Sequence, residues 1–468
     1  MALGILTILL FSTLMCATTE FAWGQAAASA PVPPEVLEEV APEQKPEKPA
    51  ESPPELPWSL KTQPEFQPSP TLELGPLTGI LAPYGYSGAL DTLARGWETH
   101  RLGPVRVSPF LGLTETYRTN IYQAYADKKA DLVSTLNPGM RFELPLAQQH
   151  RLSLGYLGSY YFFSRYDQNN HYDHNLNVDG NFNFPGGLAL RAGNTLRLAT
   201  EERTSTTARQ RDYNRITPYL QGAYKMADRW KLEANYLLDN LLFLKRIDRN
   251  SNYSDHNASL SLFYKFWPKT SALVQYIFTY RDHPYQHISD NIIHTPLVGL
   301  TWDPTAKLSG TVKFGYTFQN YLKSAPVRAT DSASPSFSVQ TVYRASQYTN
   351  ITVIGQRAVQ EDPDSNNNAY TNTGFYVSLN HKWHYFNVES YANFAYYNNV
   401  YKSLNIDPDT GTLRRRNDSL YAAGVGLMRP LTKFLQLRLD YTYSDRSSNF
   451  TTYSYIEHKV MAGIQSSF

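Results

Sequence analysis

The decapeptide at residues 175–184, NLNVDGNFNF, alternates between polar and apolar side chains without a break. A β-strand directs successive side chains to opposite faces, so this segment predicts a strand with one wet face and one dry face. Soluble antiparallel sheets alternate in the same way, because one face packs on a core while the other meets water. The rest of the chain must therefore identify the surroundings of the dry face. The polar positions are Asn175, Asn177, Asp179, Asn181 and Asn183.

The alternation begins at Val105 and continues to Phe468, in segments of about ten residues that predict about eighteen strands. Brief connections such as PGG at 185–187 and MADR at 226–229 interleave with long polar ones. Short turns at one end and long loops at the other, with an even strand number, are typical of outer-membrane barrels. The predicted fold is therefore all-β, a transmembrane antiparallel up-and-down β-barrel. The predicted long loops include 168–174, 203–213, 361–373 and 402–418.

The composition agrees with a barrel wall that has one apolar face and one hydrated face. The chain is 14% aromatic, yet its mean hydropathy is −0.44. After the first thirty residues, no segment offers the roughly 18 uncharged residues that a membrane helix needs. Only a closed barrel pairs every backbone group of a β-structure in lipid. Aromatic side chains at the ends of the apolar faces would then form two interfacial girdles. They are Tyr156, Tyr160, Tyr224, Trp230, Tyr264, Phe266, Trp302 and Trp383.

Residues 1–30 combine an apolar run with small residues and are predicted to be a secretory signal peptide, although no Lys or Arg precedes the run. Cleavage after Gly24 or after Ala30 fits the small-residue rule. The single cysteine, Cys16, lies within this run, and the residues before it fit poorly with a lipoprotein site. The mature chain is therefore expected to contain no cysteine.

Residues 31–76 carry 13 of the 29 prolines and many glutamates, a composition that cannot bury enough apolar surface to fold. We expect a disordered Pro/Glu-rich periplasmic tether that is long enough, at about 3.1 Å per residue, to reach periplasmic partners. Residues 77–104 are predicted to be a short lead-in segment, a possible amphipathic helix. The barrel itself is predicted to span 105–468.

The last strand places His458, Val460, Ala462, Ile464 and Ser466 on one parity that ends on a carboxy-terminal Phe468. An alternating final strand that closes on a terminal aromatic resembles the signal by which bacterial barrels are handed to their insertion machinery. We therefore expect that machinery, outer-membrane lipid and lipopolysaccharide as partners. Both termini are predicted to lie in the periplasm of a Gram-negative cell.

Cations outnumber acids on the wet parity of the predicted strands. Residues 1–75 hold 3 basic and 10 acidic residues, so 40 basic and 31 acidic residues remain for the rest of the chain. A cationic lumen would attract anions, whereas cross-strand ion pairing would merely satisfy a polar interior. The cationic positions predicted to line the lumen are Arg106, Arg141, Arg151, Arg191, Arg197, Lys225, Lys231, Lys265, Arg281, Lys313, Arg344 and Arg438.

Aromatic residues also fall on the wet parity, among them Tyr161, Tyr219, Tyr376 and Tyr391. Aromatic rings that face water along a passage would let sugar rings stack and slide, with neighbouring Asn, Arg and Asp side chains exchanging hydrogen bonds with hydroxyl groups. The alternative is that these rings fill the interior or pack beneath the loops.

The runs VSPFLGLTETYRTNIY, STLNPGMRFELPL, HRLSLGYLGSYYFF and NVDGNFNFPGGLALRAG resemble the β-barrel porins found with exopolysaccharide export clusters in Gram-negative bacteria. The resemblance lies in a Tyr-x-x-Asn loop from Tyr117 to Asn120, a Pro-Gly strand at 137–139 and an HRLSLGY strand at 150–156. It implies an outer-membrane barrel that serves as a conduit or an assembly partner for secreted polysaccharide, with periplasmic polysaccharide-export components as partners. It supplies no catalytic residues.

The sequence contains only weak signals for a catalytic site or a metal site. The sequence contains no Gly-x-Ser-x-Gly elbow, no Gly-rich phosphate loop and no spaced Cys/His cluster. The pairs in HYDH at 171–174, HPYQH at 283–287 and HKWH at 381–384 could ligate a metal, but two loop histidines are more often solvated. We therefore predict no enzymatic activity, no cofactor, no metal and no nucleic-acid partner.

Three functions remain open. The first is a channel or conduit for export of polysaccharide, which would be anionic if the lumen is cationic, with a general or anion-selective porin for small solutes as its alternative. The second is a non-conducting structural or docking component of an envelope export machine. The third is a surface enzyme.

Overall fold

The computed structural model describes residues 100–146, 149–204, 207, 209–305, 307–323, 331–362 and 368–467. The predicted signal peptide, the predicted tether, most of the predicted lead-in segment and Phe468 lie outside these residues. Within them the chain forms nineteen β-strands. Their bounds are β1 His100–Leu102, β2 Val105–Arg118, β3 Asp131–Leu146, β4 His150–Phe163, β5 His171–Phe184, β6 Leu188–Glu201, β7 Arg211–Lys225, β8 Trp230–Phe243, β9 Tyr253–Trp267, β10 Thr270–Asp282, β11 Asn291–Thr305, β12 Leu308–Tyr321, β13 Ser332–Ser346, β14 Thr349–Asp362, β15 Asn368–Trp383, β16 Val388–Ile406, β17 Leu413–Pro430, β18 Leu435–Ser448 and β19 Tyr455–Ser467.

Strands β2 to β19 form a closed antiparallel barrel of eighteen strands, as the alternating sequence predicts. Each strand pairs with the next along the chain, and β19 returns to pair with β2 from Phe110 to Arg118. The short strand β1 pairs with Val105–Val107 of β2. Because the ring is closed, no barrel strand is left with an open edge that could pair with another chain.

The two ends of the barrel differ in their connections. Brief turns join β5 to β6, β7 to β8 and β15 to β16, and we call this the turn end. Longer segments join β2 to β3, β6 to β7 and β10 to β11 at the opposite end, the loop end. In the turn between β5 and β6, Gly186 and Gly187 both have a φ of 85°, a conformation that side chains with a Cβ disfavour.

The apolar and polar faces are arranged opposite to those of a soluble protein. In β10, Val274 is 60% exposed and Tyr276 is 46% exposed, whereas Gln275 between them is only 3% exposed. The same alternation holds around the ring, so the apolar side chains lie on the outside and the polar ones pack inside. A large contiguous apolar outer surface is unstable in water, and hydrocarbon is the solvent that suits it.

The strands are longer than the sequence pattern indicates, at 13 to 19 residues for β2 to β19. Three of the predicted long loops are wrong in extent, because β5 begins at His171 within 168–174, and β14, β15, β16 and β17 continue through most of 361–373 and 402–418. The end of the predicted lead-in helix, His100–Leu102, is a strand. Four short 3-10 helices lie at the loop end, at Asp167–Asn169, Arg246–Ser251, His287–Ser289 and Thr451–Tyr453.

Among the described residues, no helix has the length and apolar character needed to cross a membrane.

Candidate functional site in the barrel interior

The strand registers place all twelve predicted lumen cations on the inner face. Seven of them lie within 4.0 Å of a carboxylate oxygen, often on the same or the neighbouring strand. Local ion pairing therefore neutralises more than half of the cations that the sequence places in the lumen. The pairs are Arg141 with Glu143, Arg191 with Asp179, Arg197 with Asp173, Lys225 with Asp228, Lys231 with Glu233, Arg281 with Asp255, and Arg438 with Asp440.

The other five predicted cations differ in their surroundings. Lys313 is buried and donates to Gln275 Oε1 at 3.1 Å, and Arg344 donates to Ser309 Oγ at 3.4 Å. Arg106 and Arg151 are exposed, and Lys265 is half-buried. All but Lys313 lie toward the turn end, so exposed positive charge is concentrated there.

The predicted Asn/Asp face of β5 forms a hydrogen-bonded ladder with its neighbours. Asp179 accepts a hydrogen bond from Arg191 Nε at 2.7 Å and another from Asn181 Nδ2 at 2.5 Å. Asn177 Nδ2 donates to Thr195 Oγ1 at 3.0 Å across the β5–β6 pair. Asn175 is half-buried on the same face, and Asn183 is exposed at the turn end.

The four predicted lumen tyrosines fall into two pairs. Tyr161 stacks on His171 with ring centroids 4.4 Å apart, and Tyr376 is 3% exposed with its hydroxyl donating to Asn393. These two rings pack within the protein. Tyr219 and Tyr391, by contrast, are half-buried on the inner face and lie over glycines of paired strands.

Glycine is required beneath these two rings. A Cβ at Gly193 would collide with the phenol of Tyr219, and a Cβ at Gly426 would collide with the ring of Tyr391. The missing side chains let the rings lie against the wall, which leaves lumen volume free that a protruding ring would fill.

At the loop end, Arg118 of β2 joins two carboxylates that lie far apart in the sequence. Its Nε donates to Glu457 Oε1 of β19 at 2.8 Å, and its Nη1 donates to Glu202 Oε2 at 2.7 Å. Glu202 belongs to the segment after β6, four strands from β2, so this segment reaches across the interior. Burial opposes ionisation of Glu202, but the charge and hydrogen bond of Arg118 outweigh it and lower the pKa of that carboxyl.

A second cluster surrounds Arg281 of β10. Arg281 Nε donates to Asp255 Oδ1 at 2.5 Å, and Arg281 Nη1 donates to Glu361 Oε2 at 3.0 Å. Asn291 Nδ2 and Gln319 Nε2 donate to Glu361 Oε1 at 2.6 and 2.5 Å. These donors satisfy the carboxylate of Glu361, which is 7% exposed, so its burial does not leave an unpaired charge.

The position of Glu361 shows that the end of β14 bends across the lumen. Pairing of β13 with β14 stops at Phe337 and Arg357, while β14 remains paired with β15 to its end. Alternation along β14 puts Glu361 on the side opposite to inner-face Gln356, yet it contacts the inner faces of β10 to β12. We call residues 358–361 the inward segment.

His283 adjoins this second cluster in the segment after β10. Its Nδ1 lies 3.9 Å from Asp290 Oδ1, and its Nε2 lies 4.0 Å from Glu361 Oε2. Burial, with the nearby charge of Arg281 second, lowers the pKa of His283 to about 3. The imidazole is therefore neutral at physiological pH.

A third loop-end cluster joins β16, β17 and β18. Asp418 accepts from Arg416 Nη2 at 2.6 Å and from Arg446 Nη2 at 3.1 Å. The guanidinium of Arg416 also lies 4.6 Å from the ring centroid of Tyr401 and 4.0 Å from that of Tyr453. All three charged side chains are less than 10% exposed, so compensated charges are buried against aromatic rings at the loop end of the interior.

The side chains at the turn end are exposed and mainly basic. Among the described residues the turn end presents ten exposed cations and three exposed acids; Arg429 lies on the outer face of β17, and the others lie on the inner face or in the turns. Such an excess attracts anions. The cations are Arg106, Arg151, Lys225, Arg229, Lys269, Lys307, Arg344, Lys382, Arg429 and Lys433, and the acids are Asp228, Asp303 and Glu389.

Between the two ends the inner wall is mainly neutral and hydrogen-bonding. Thr279 Oγ1 donates to Asn257 Oδ1 at 2.7 Å, and Thr311 Oγ1 donates to Thr301 Oγ1 at 3.1 Å. Other half-buried side chains of the same kind are Asn177, Thr195, Thr217, Asn235, Gln340, Thr352 and Gln356.

The fold separates one of the three histidine pairs that the sequence offers as metal ligands, whereas His283 and His287 of a second pair both lie within 4.0 Å of the carboxylate of Asp290. His171 lies on the inner face of β5 and His174 on its outer face, so they cannot share an ion. His287 lies near Asp282 and Asp290, with one potential ligand atom of each within 4.8 Å of the others. Oxygen and imidazole ligands of this kind suit a divalent cation.

Sequence reasoning did not find Arg118, Glu202, Glu361 or Arg446 as members of the loop-end clusters. Arg118 and Glu457 share the wet parity of their strands, which is a usable signal. No local pattern indicates that Glu202 or Glu361 crosses the interior, because the partners are 84 and 80 residues apart.

An antiparallel barrel with an apolar exterior and a polar, ion-paired interior defines the class of transmembrane β-barrels. Residues 100–468 match the family described as "Putative beta-barrel porin 2". The chain belongs to this family of porin-like proteins of the Gram-negative outer membrane.

Similar solved structures include the outer membrane protein OpdK of Pseudomonas aeruginosa, which is 9% identical over 77% of this chain and 99% of that chain, with a TM-score of 0.41. OccAB3 of Acinetobacter baumannii is 11% identical over 78% of this chain and 99% of that one, with a TM-score of 0.43. OprD of Pseudomonas aeruginosa is 9% identical over 77% and 95%, with a TM-score of 0.40. No curated protein matches the chain. The assignment rests on the family match alone.

Proposed function

We propose that the protein is an outer-membrane channel that carries an anionic, hydroxyl-rich solute, a polysaccharide chain in export, from the turn end to the loop end. The turn end would face the periplasm. The first barrel strand, β2, would then begin on the periplasmic side, and the last strand, β19, would end there. The proposal rests on one observation, the contrast between an exposed basic turn end and a loop end whose charges are buried and ion-paired.

Each part of the interior would have a separate role. The basic turn end would gather anions from the periplasm, because fixed charges at a low-dielectric mouth raise the local concentration of counter-ions. The neutral Asn, Thr and Gln side chains of the wall would exchange hydrogen bonds with sugar hydroxyls without binding any one sugar unit of the polysaccharide tightly. The inward segment would close the passage until a substrate or partner displaces it.

The test is ion conductance of the barrel, residues 100–468 and the full chain, in planar bilayers. We expect small, anion-selective currents that an added anionic oligosaccharide blocks from the turn end, while a neutral oligosaccharide of the same length blocks less. Anion-selective currents that no oligosaccharide blocks would instead indicate a porin for small solutes.

A non-conducting structural component is the second candidate, and the three buried loop-end clusters favour it. It predicts no current in the parent protein and none after the inward segment is released. A current that appears when Glu361 is replaced would exclude it, and silence in both would exclude the channel.

A further inference from the structure

Four tyrosine–histidine pairs recur on the outer face of the barrel. In each, the tyrosine hydroxyl oxygen lies 2.6–2.9 Å from Nδ1 of a histidine on the neighbouring strand. We call this set the Tyr–His belt. Its members are Tyr156 with His174, Tyr236 with His256, Tyr276 with His294, and Tyr441 with His458.

The four histidines share one depth in the wall. Each is the fourth residue of a strand that follows a loop-end connection, in β5, β9, β11 and β19. One outward residue separates each of them from the loop. In β5 and β9, ten residues separate His174 from Phe184 and His256 from Phe266, the outward aromatics near the turn end. With about 3.4 Å per residue and a tilt of about 40°, that separation is roughly 25 Å, the height of the apolar band of outer-membrane barrels.

The belt therefore lies where hydrocarbon gives way to headgroups at the loop end. Tyr236, Tyr276 and Tyr441 are 41–46% exposed, and all four imidazoles are half-buried, so the pairs face the surroundings of the barrel. Amphipathic rings are favoured at this depth.

Counting hydrogens shows that each pair keeps a donor. A neutral imidazole has one N–H and a phenol has one O–H, and the bond between them uses one of the two. If Nδ1 accepts, Nε2–H remains; if Nδ1–H donates, the phenol O–H remains. In the described part of the chain no protein atom accepts a hydrogen bond from Nε2 of these four histidines.

A donor without an acceptor is costly at the edge of hydrocarbon, and the headgroup layer at this depth offers acceptors. We propose that the Tyr–His belt binds the phosphate groups of lipid headgroups at the loop-end interface. Phosphate oxygens are strong acceptors and can take the N–H or O–H that each pair leaves free. Exposed cations just beyond the belt, Arg165, Lys245 and Lys323, complement the charge of the phosphate.

The test replaces His174, His256, His294 and His458 together by phenylalanine, which keeps an aromatic ring at this depth and removes the donor. The urea midpoint of unfolding is measured in phosphatidylcholine vesicles with and without phosphatidic acid, whose headgroup is a phosphate monoester. We expect phosphatidic acid to raise the midpoint of the parent protein, and the fourfold variant to lose most of that increase.

The matched control is His150→Phe, an outward histidine at the turn end that contacts Phe182 and Phe184; it should keep the increase. If the fourfold variant does not insert, each single variant is purified in detergent and its retained phospholipid is measured by mass spectrometry, with less lipid expected than in the parent. An unchanged increase, or unchanged lipid, overturns the proposal. Equal stabilisation by inorganic phosphate in lipid-free detergent also overturns it, since the belt would then bind a free anion.

Discussion

The two ends of the barrel interior are built from the same residue types and use them differently. At the loop end, Arg118, Arg281 and Arg446 are buried and each contacts at least one carboxylate. At the turn end, Arg106 and Arg151 are exposed. A buried, hydrogen-bonded charge fixes structure and is costly to unpair, whereas an exposed charge contributes little stability and acts mainly through its field. Position along the strand, more than residue type, decides which of these roles an arginine has.

Among single substitutions, Arg118→Ala is expected to have the largest effect on the stability of the loop end. Removal of the guanidinium takes the shared partner from Glu457, which is fully buried, and from Glu202, which is half-buried, and we expect a loss of about 3–5 kcal/mol in the free energy of unfolding. Urea titration of the barrel in lipid vesicles measures it. The control, Arg151→Ala at the turn end, should change stability by less than about 0.5 kcal/mol. Equal losses in the two variants would show that the ends do not differ.

Acid should weaken the loop end through His283. Its pKa of about 3 in the folded protein lies below the value of about 6.5 in an unfolded chain. The folded state therefore binds fewer protons between these values, and the stabilisation that is complete above pH 6.5 is lost as the pH falls toward 3. At pH 4.5 the loss is about 2–3 kcal/mol.

Urea midpoints at pH 7 and pH 4.5 measure this loss. His283→Gln should flatten the dependence, because glutamine does not titrate, while His150→Gln at the turn end should leave it unchanged. Arg281, Asp290, His287 and Glu361 face the imidazole, and their contribution is common to the parent and both variants. A pH dependence that survives in His283→Gln would contradict the assignment.

Glu361→Ala tests whether the inward segment closes the lumen. Arg281 keeps Asp255, so the expected destabilisation is smaller, about 1–3 kcal/mol. Single-channel conductance should rise, because the segment loses the side chain that holds it to β10, β11 and β12. Glu389→Ala, an exposed inner-face acid at the turn end, serves as the control and should not change conductance. No rise in the Glu361 variant would place the constriction elsewhere.

The smallest effect on stability and a clear effect on selectivity are expected from charge reversal at the turn end. Replacing Arg106, Arg151 and Arg344 by glutamate should move the reversal potential toward cation selectivity, with about 0.5 kcal/mol or less lost per site. Lys433→Glu, in the turn between β17 and β18, reverses a charge outside the inner face and should shift it less. Selectivity that does not respond would remove the turn end from the conduction path.

Much of the wall could be predicted from the sequence, because alternation is a local property. The polar positions from Asn175 to Asn183 lie on the inner face and contact other strands there, for instance through the Asn177–Thr195 bond. Alternation is hard to recognise where few apolar residues mark it. Residues 404–406 and 413–415 are paired strands, although the sequence around them, with three consecutive arginines at 414–416, is typical of a loop.

The interior could not be predicted to the same degree. Glu202 and Glu361 reach partners on non-neighbouring strands, and only the three-dimensional path of the chain brings them there. The Tyr–His belt is intermediate, because its residues are visible in the sequence but the separations between partners vary from 17 to 20 residues. The pairing becomes evident only when the hairpin registers are known.

The seam between β2 and β19 joins parts of the chain separated by 339 residues, as the Arg118–Glu457 contact shows. Before β19 pairs with β2, the sheet has two unpaired edge strands, and each of them can pair with a strand of another chain. Ring closure is thus the latest step of assembly, and contacts so distant in sequence form slowly. A truncation that removes β19 should therefore leave an open sheet, whose unpaired edge strands make it prone to aggregate.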